Sequence, residues 1–141
     1  MPTDTNPSAL ASAGSRQAWS AAEAPPPAGS YSQAISAGGL LFISGQTPRL
    51  ADGTRCATAP FDVQARLALG NADAIAKAAG VTLASAAMVT VFLTDPKSQA
   101  AEFDKVYREF LDHSASYPAR AIVQSSLPNG AIEITAVIPL V

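Results

Sequence analysis

The chain has 141 residues, of which 48% are hydrophobic and 14% are charged, and its formal net charge is −2. This length favours one domain, the apolar share suffices for a core, and the slight negative charge argues against a nucleic-acid-binding surface. No apolar run is long enough to span a membrane, and no signal-peptide pattern is present. The single cysteine cannot form an internal disulfide, which fits a reducing compartment. We therefore expect a cytoplasmic protein.

The first 28 residues are rich in alanine, serine and proline. Because such a composition cannot bury much surface, we expect residues 1–28 to form a flexible extension and residues 29–141 to form the domain. The lone tryptophan of the chain, Trp19, could instead anchor the extension to a subunit surface. If the extension is flexible, a chain that begins at Pro25 should melt within a few degrees of the full chain.

From residue 31 onward, the pattern of apolar residues predicts the order ββαβαββ. The five predicted strands lie at residues 31–36, 40–44, 88–93, 121–126 and 131–140. The two predicted helices lie at residues 61–79 and 99–113. Gly38 and Gly39 are typical of a hairpin between the first two strands, and Asp52 with Gly53 indicates a turn inside the loop at residues 47–60.

Two helices cannot cover both faces of such a sheet, so we expect an α+β fold with both helices on one face. The opposite face would then be too apolar to remain in water. Its predicted members are Phe42, Ser44, Thr90, Phe92, Glu133, Thr135 and Val137. We therefore expect this face to be buried against further copies of the chain.

Arg120 is the first candidate functional residue. Pro118 prevents the second helix from continuing, so Arg120 lies where a loop enters a strand. A guanidinium held by rigid backbone can bind a carboxylate through two parallel hydrogen bonds, which a lysine cannot form. An arbitrary surface arginine would form only a weak ion pair. Among nearby residues, Tyr107 is predicted to lie in the core, and His113, the only histidine, is predicted to cap a helix.

Five segments of the chain together resemble the RidA/YjgF family of small trimeric proteins, in the right order and at near-family spacings. They are GSYSQA at residues 29–34, LFISGQ at 41–46, VFLTD at 91–95, YPAR at 117–120 and LPNGAIEI at 127–134. The resemblance implies a chorismate-mutase-like homotrimer with three clefts between subunits. It also implies hydrolysis of reactive 2-imino acids to 2-keto acids and ammonia, without a metal or an organic cofactor.

The same resemblance implies roles for individual residues. Arg120 corresponds to the arginine that binds the substrate carboxylate. Glu133 corresponds to the glutamate near the attacking water, and Tyr31 to the tyrosine whose hydroxyl lines the cleft. Gly45 corresponds to the glycine that lets the backbone approach the ligand. Taken without the resemblance, Glu133 could instead form an ion pair between subunits, and Tyr31 could simply pack in an interface.

Two further positions of the implied substrate site depart from the family pattern. Ile122 stands where many members have cysteine, and the contact there includes the backbone. Asp104 stands where archetypal members have asparagine, so it would add negative charge near an anionic substrate.

Two other functions stay open at this point. The first is a non-catalytic module that binds a keto acid or another small carboxylate in the same cleft. The second is an endoribonuclease, a label often attached to the family, although the negative charge and the lack of a basic stripe argue against RNA binding. Release of ammonia from 2-iminobutanoate would distinguish the deaminase from the binding module.

Overall fold

The computed structural model describes residues 15–112 and 116–140 of the chain. In this part, a six-stranded sheet is combined with two α-helices. The elements are β1 (Gln17–Trp19), β2 (Ala34–Ala37), β3 (Leu40–Gln46), α1 (Phe61–Ala78), β4 (Met88–Leu93), α2 (Pro96–Phe110), β5 (Ala119–Gln124) and β6 (Ile132–Pro139). The predicted order ββαβαββ is confirmed from β2 to β6, and β1 precedes it. The predicted capping residue His113 lies outside the described residues.

The strands lie in the order β1-β2-β3-β6-β4-β5, so β6 is central and β5 is an edge strand. Strands β4 and β5 pair in parallel, and α2 makes the crossover between them. The other neighbouring strands in the described sheet are antiparallel. Gly38 and Gly39 have φ of 58° and 76°, which L-residues rarely adopt, and they form the predicted hairpin turn between β2 and β3.

Both helices pack on one face of the sheet, as predicted. The strands bury alternate residues against them, with Val89, Val91 and Leu93 of β4 fully buried. Helix α1 meets the sheet with mainly small side chains, which allows close packing. Helices α1 and α2 also contact each other, with Arg66 and Glu109 paired at 3.1 Å. No helix within the described ranges is both long and apolar enough to cross a bilayer.

The opposite face of the sheet carries no helix from the described residues. It presents Phe42 and Val123, which are 43% and 42% exposed, and the half-buried side chains of Phe92 and Val137. Such an apolar face is unusual for a monomer surface. The α+β architecture is thus confirmed, and the homotrimer that would cover this face stays a prediction.

The described part of the predicted flexible extension is instead part of the fold. Strand β1 pairs antiparallel with β2, and the indole Nε1 of Trp19 donates a hydrogen bond of 2.9 Å to Ser36 Oγ. Ala21 and Ala24 are buried. The buried Gln33 side chain accepts from Ala21 N at 2.6 Å and donates to the carbonyls of Ala21, Ala24 and Pro25. A segment of small residues can be ordered in this way because a buried amide satisfies its backbone groups.

These contacts reverse the expected outcome of truncation. A chain that begins at Pro25 loses β1 and leaves the Gln33 amide short of partners, so we expect its melting temperature to fall by roughly 10 °C. The matched control is a chain that begins at Ser15, which keeps all of these contacts. Thermal unfolding followed by circular dichroism measures both, and equal melting temperatures would show that the segment contributes nothing to stability.

Candidate functional site

Gly45 and Glu133 meet at a β-bulge between β3 and β6. Between Ile43 and Gln46, β3 carries one more residue than the facing stretch of β6. Such a bulge redirects side chains locally. A Cβ added at Gly45 would overlap the Glu133 carboxylate, so any larger residue at position 45 would displace it. In this chain the group that lies against Gly45 is the Glu133 side chain, and the approach of a ligand to the Gly45 backbone stays a prediction.

A cavity of about 390 Å³ opens beside this bulge, and we call it the strand cleft. Tyr31, Gly45 and Glu133 all line it, so the structure brings together three of the predicted site residues. The Tyr31 hydroxyl accepts a hydrogen bond of 3.0 Å from the Ala28 backbone N–H, which leaves its own proton available to donate. No hydrogen bond or ion pair joins the Glu133 carboxylate to another described residue.

Two buried amides of helix α1 hold the loops around the strand cleft. Gln64 donates to the carbonyls of Ala57 and Ala59 at 3.2 and 2.7 Å, and it accepts from Ala131 N at 2.8 Å. Asn71 donates to the carbonyls of the 47–60 loop, including Arg49 O at 2.8 Å. Because these groups are satisfied inside the protein, the cleft walls are fixed by the helix behind them.

Arg120 lies in a second cavity of about 420 Å³, which we call the arginine pocket. Its Nη1 donates to Asp104 Oδ1 at 2.9 Å, and its guanidinium carbon lies 4.8 Å from the ring centre of Tyr107 and 5.7 Å from that of Phe103. Although β5 is an edge strand, only 27% of the Arg120 side chain is exposed. The ion pair and the cation–π contacts therefore fix the plane of the guanidinium.

Tyr107 forms the base of the arginine pocket and is 2% exposed, which confirms its predicted place in the core. Burial raises the pKa of its hydroxyl above the usual value of 10.0, because the phenolate would lose hydration, while the nearby Arg120 charge opposes this shift. The ring also stacks on Tyr117 with centres 6.3 Å apart. The pocket thus has aromatic walls beside the fixed guanidinium of Arg120.

The predicted site residues divide between the two faces of the sheet. Arg120 pairs in register with Val89, so its side chain lies on the helix face with Asp104. Glu133 pairs with Phe92 and lies on the opposite face, together with the strand cleft. Within one chain, the structure does not bring Arg120 and Glu133 into one cavity.

Ile122 belongs to neither cavity. Its side chain packs against the hydrophobic core, in register with Val91. The predicted contact with a ligand therefore does not fit its side chain, and only the backbone of the edge strand could make it.

Two arginines of the strand cleft did not emerge from the sequence. Arg49 and Arg55 both line this cavity, and they face each other across an isolated β-bridge. The turn between them was predicted, and Gly53 has φ of 93°, as such a turn requires. The available signal was the position of the two arginines, each three residues from Asp52 on either side of the predicted turn.

Comparisons with known proteins agree on one family. The family model described as endoribonuclease L-PSP matches residues 21–139. The match begins before Gly29, which agrees with the ordered segment around Ala21 and Ala24. The RutC family protein y4sK of Sinorhizobium fredii is 44% identical over 120 residues, which cover 84% of this chain and 93% of that protein.

A second relative carries a name that proposes an activity. The relative is TdcF of Escherichia coli, which is named as a proposed reactive intermediate deaminase. It is 40% identical to this chain over 119 residues, which cover 81% of this chain and 89% of TdcF. The crystal structure of TdcF with bound serine has a TM-score of 0.81, with 87% of this chain and 98% of that chain covered. The E. coli YjgF structure has a TM-score of 0.80 at 31% identity over 87% of this chain and 98% of that chain.

Proposed function

This chain belongs to the RidA/YjgF family, and from that premise we propose that it hydrolyses reactive 2-imino acids, or their enamine tautomers, to 2-keto acids and ammonia. In this proposal the protein is a cytoplasmic homotrimer, and each active site is a cleft shared by two subunits. The observation that carries the proposal is the division of the site residues between two cavities on opposite faces of the sheet.

A shared cleft supplies what each cavity lacks. The strand cleft has a free carboxylate and a hydroxyl but does not include Arg120, and the arginine pocket does not include Glu133. Strand β5, which carries Arg120, is an edge of the sheet, so a neighbouring subunit can approach it. We propose that the arginine pocket, at the sheet edge formed by β5 of one subunit, meets the strand cleft of the next subunit.

The proposed chemistry needs a fixed carboxylate, a placed water and three proton transfers: from the water, to the nitrogen and from the hydroxyl of the carbinolamine. Arg120 holds the carboxylate of the imino acid by a bidentate pair, and the protonated imine carbon is already electrophilic. Glu133 accepts a proton as water adds to that carbon and returns it to the nitrogen of the resulting carbinolamine. As the C–N bond breaks and ammonia leaves, Glu133 takes the proton of the carbinolamine hydroxyl, whose oxygen becomes the keto oxygen, and passes that proton to solvent. Tyr31 donates a hydrogen bond to the imine nitrogen or to the water. The products are one keto acid and one ammonia for each imine and water consumed.

Asp104 acts in this scheme by orienting Arg120. It engages the Nη1 donor, so the Nε and Nη2 donors remain for a substrate carboxylate. Its charge is also shared with Arg108, whose Nε lies 3.4 Å from Asp104 Oδ2. With two arginines and one aspartate, the pocket keeps a net positive charge, so an aspartate in place of the family's asparagine is compatible with an anionic substrate.

The proposed activity is tested by trapping the imine. A threonine dehydratase generates 2-iminobutanoate, and semicarbazide captures it as a semicarbazone with a characteristic absorbance. We expect this protein to suppress semicarbazone formation and to accelerate ammonia release in proportion to its concentration. Unchanged trapping at micromolar protein would reject the deaminase.

The alternative is a non-catalytic module that binds small carboxylates, and one observation favours keeping it. The structure of the relative TdcF contains serine, which is a small molecule with a carboxylate. Calorimetric binding of 2-oxobutanoate without any effect on imine trapping would identify this chain as such a module.

A further inference from the structure

We propose that the strand cleft recognises a second acidic group on its substrate, so the preferred substrate is a 2-imino acid with a carboxylate on its side chain. The groups that would bind this second carboxylate are Arg49 and Arg55. The inference rests on the proposed deaminase function and adds a substrate class to it.

The charges that line the strand cleft are the first argument. Its charged side chains are Glu133, Arg49 and Arg55, so the cavity carries more positive than negative charge even before Arg120 of another subunit approaches it. None of the described ion pairs involves these three residues. A substrate with one carboxylate would use Arg120 and leave the strand cleft with one positive charge that the Glu133 carboxylate does not balance.

The second argument is the geometry of the two arginines. They lie directly opposite each other on the β-bridge, where side chains approach closely and like charges repel. An anion bound between two guanidinium groups removes this repulsion and gains charge-assisted hydrogen bonds.

The third argument is that hydrogen bonds fix Arg49 and the turn between the two arginines. The guanidinium of Arg49 donates to Pro26 O at 3.0 Å and to Gly53 O at 3.4 Å, which fixes its orientation. The Arg49 carbonyl accepts from the buried Asn71 at 2.8 Å. Asp52 Oδ1 accepts from Thr54 N at 2.8 Å and closes the turn. Arg55 is exposed, and its side chain has no partner among the described residues, so it is free to bind a ligand.

The test compares two imines. Wild-type protein is assayed with 2-iminobutanoate and with iminosuccinate, which an aspartate oxidase releases from aspartate in the presence of oxygen and catalase. We expect a higher kcat/KM for iminosuccinate. In Arg55→Gln, the ratio of the two kcat/KM values should shift toward 2-iminobutanoate roughly tenfold or more, because a charge-assisted hydrogen bond is lost. The matched control is Arg66→Gln, which removes an exposed arginine that pairs with Glu109 and does not line the strand cleft. This control should leave the ratio unchanged.

A binding experiment separates this inference from the deaminase proposal. Calorimetry with 2-oxoglutarate and 2-oxobutanoate needs no turnover, and wild-type protein should bind the dicarboxylate more tightly. If neither imine is hydrolysed but Arg55→Gln abolishes this preference, the deaminase proposal fails and the second acidic subsite stands. If wild-type protein shows no preference for the dicarboxylate, or if Arg55→Gln leaves the preference intact, the inference is overturned.

Discussion

Replacing Arg120 by alanine is expected to lower kcat/KM for 2-iminobutanoate roughly 30- to 5,000-fold, which corresponds to about 2–5 kcal/mol of transition-state binding. The guanidinium is held by Asp104 at 2.9 Å and stacks on Tyr107, so its fork is already oriented for a carboxylate. Arg120→Lys keeps the charge but loses both the fork and the planar stack. We therefore expect the lysine variant to be strongly impaired as well.

The measurement is the rate at which each variant suppresses semicarbazone formation. Arg66→Lys is the control, because Arg66 also forms an ion pair, with Glu109 at 3.1 Å, but lies in neither cavity. This control should keep the wild-type rate. Full activity in Arg120→Ala, with wild-type assembly, would show that the substrate carboxylate is held elsewhere.

Glu133→Gln is expected to lower kcat roughly 10²- to 10⁴-fold, the usual contribution of a general base, with a smaller effect on KM. Glutamine has nearly the same shape as glutamate and fits beside Gly45, but it cannot accept a proton from water. Glu109→Gln is the control for loss of a carboxylate from the surface. An unchanged kcat in Glu133→Gln would assign the proton transfer to another group.

Mixing the two inactive variants tests whether the cleft is shared between subunits. If Arg120 and Glu133 of one site come from different chains, trimers reassembled from equal amounts of Arg120→Ala and Glu133→Gln contain some intact sites. Random assembly makes both residues intact in one of the four combinations, so roughly a quarter of wild-type activity should return. A site within one chain would stay inactive in every mixed trimer.

Most of the sheet followed from the alternation of apolar residues, because one face of each strand is buried under the helices. Met88–Leu93 was predicted with its observed bounds and faces. Helix α2 begins at Pro96, three residues before the predicted start, because proline fits the first helical turn, where its missing N–H is not needed. Strand β1 was missed because its sequence has no strand signal and is ordered by contacts with Gln33 and Ser36.

The candidate site was predictable in its residues but not in its arrangement. Alternation along the last strand put Glu133 on the helix-free face. The face of Arg120 depends on its parallel register with Val89, and neither segment alone specifies that register. Arg49 and Arg55 were missed for a related reason, since a loop has no periodicity from which to predict where its side chains point.

The Gln64 amide has a consequence for the energetics of ligand binding. It donates to the chain on one side of the strand cleft, at Ala59, and accepts from the other side, at Ala131. A glutamate could not replace it, because a carboxylate has no proton to donate. One side chain therefore fixes the segments on both sides of the cleft before a ligand binds. As a result, little of the free energy of binding is consumed in ordering loops.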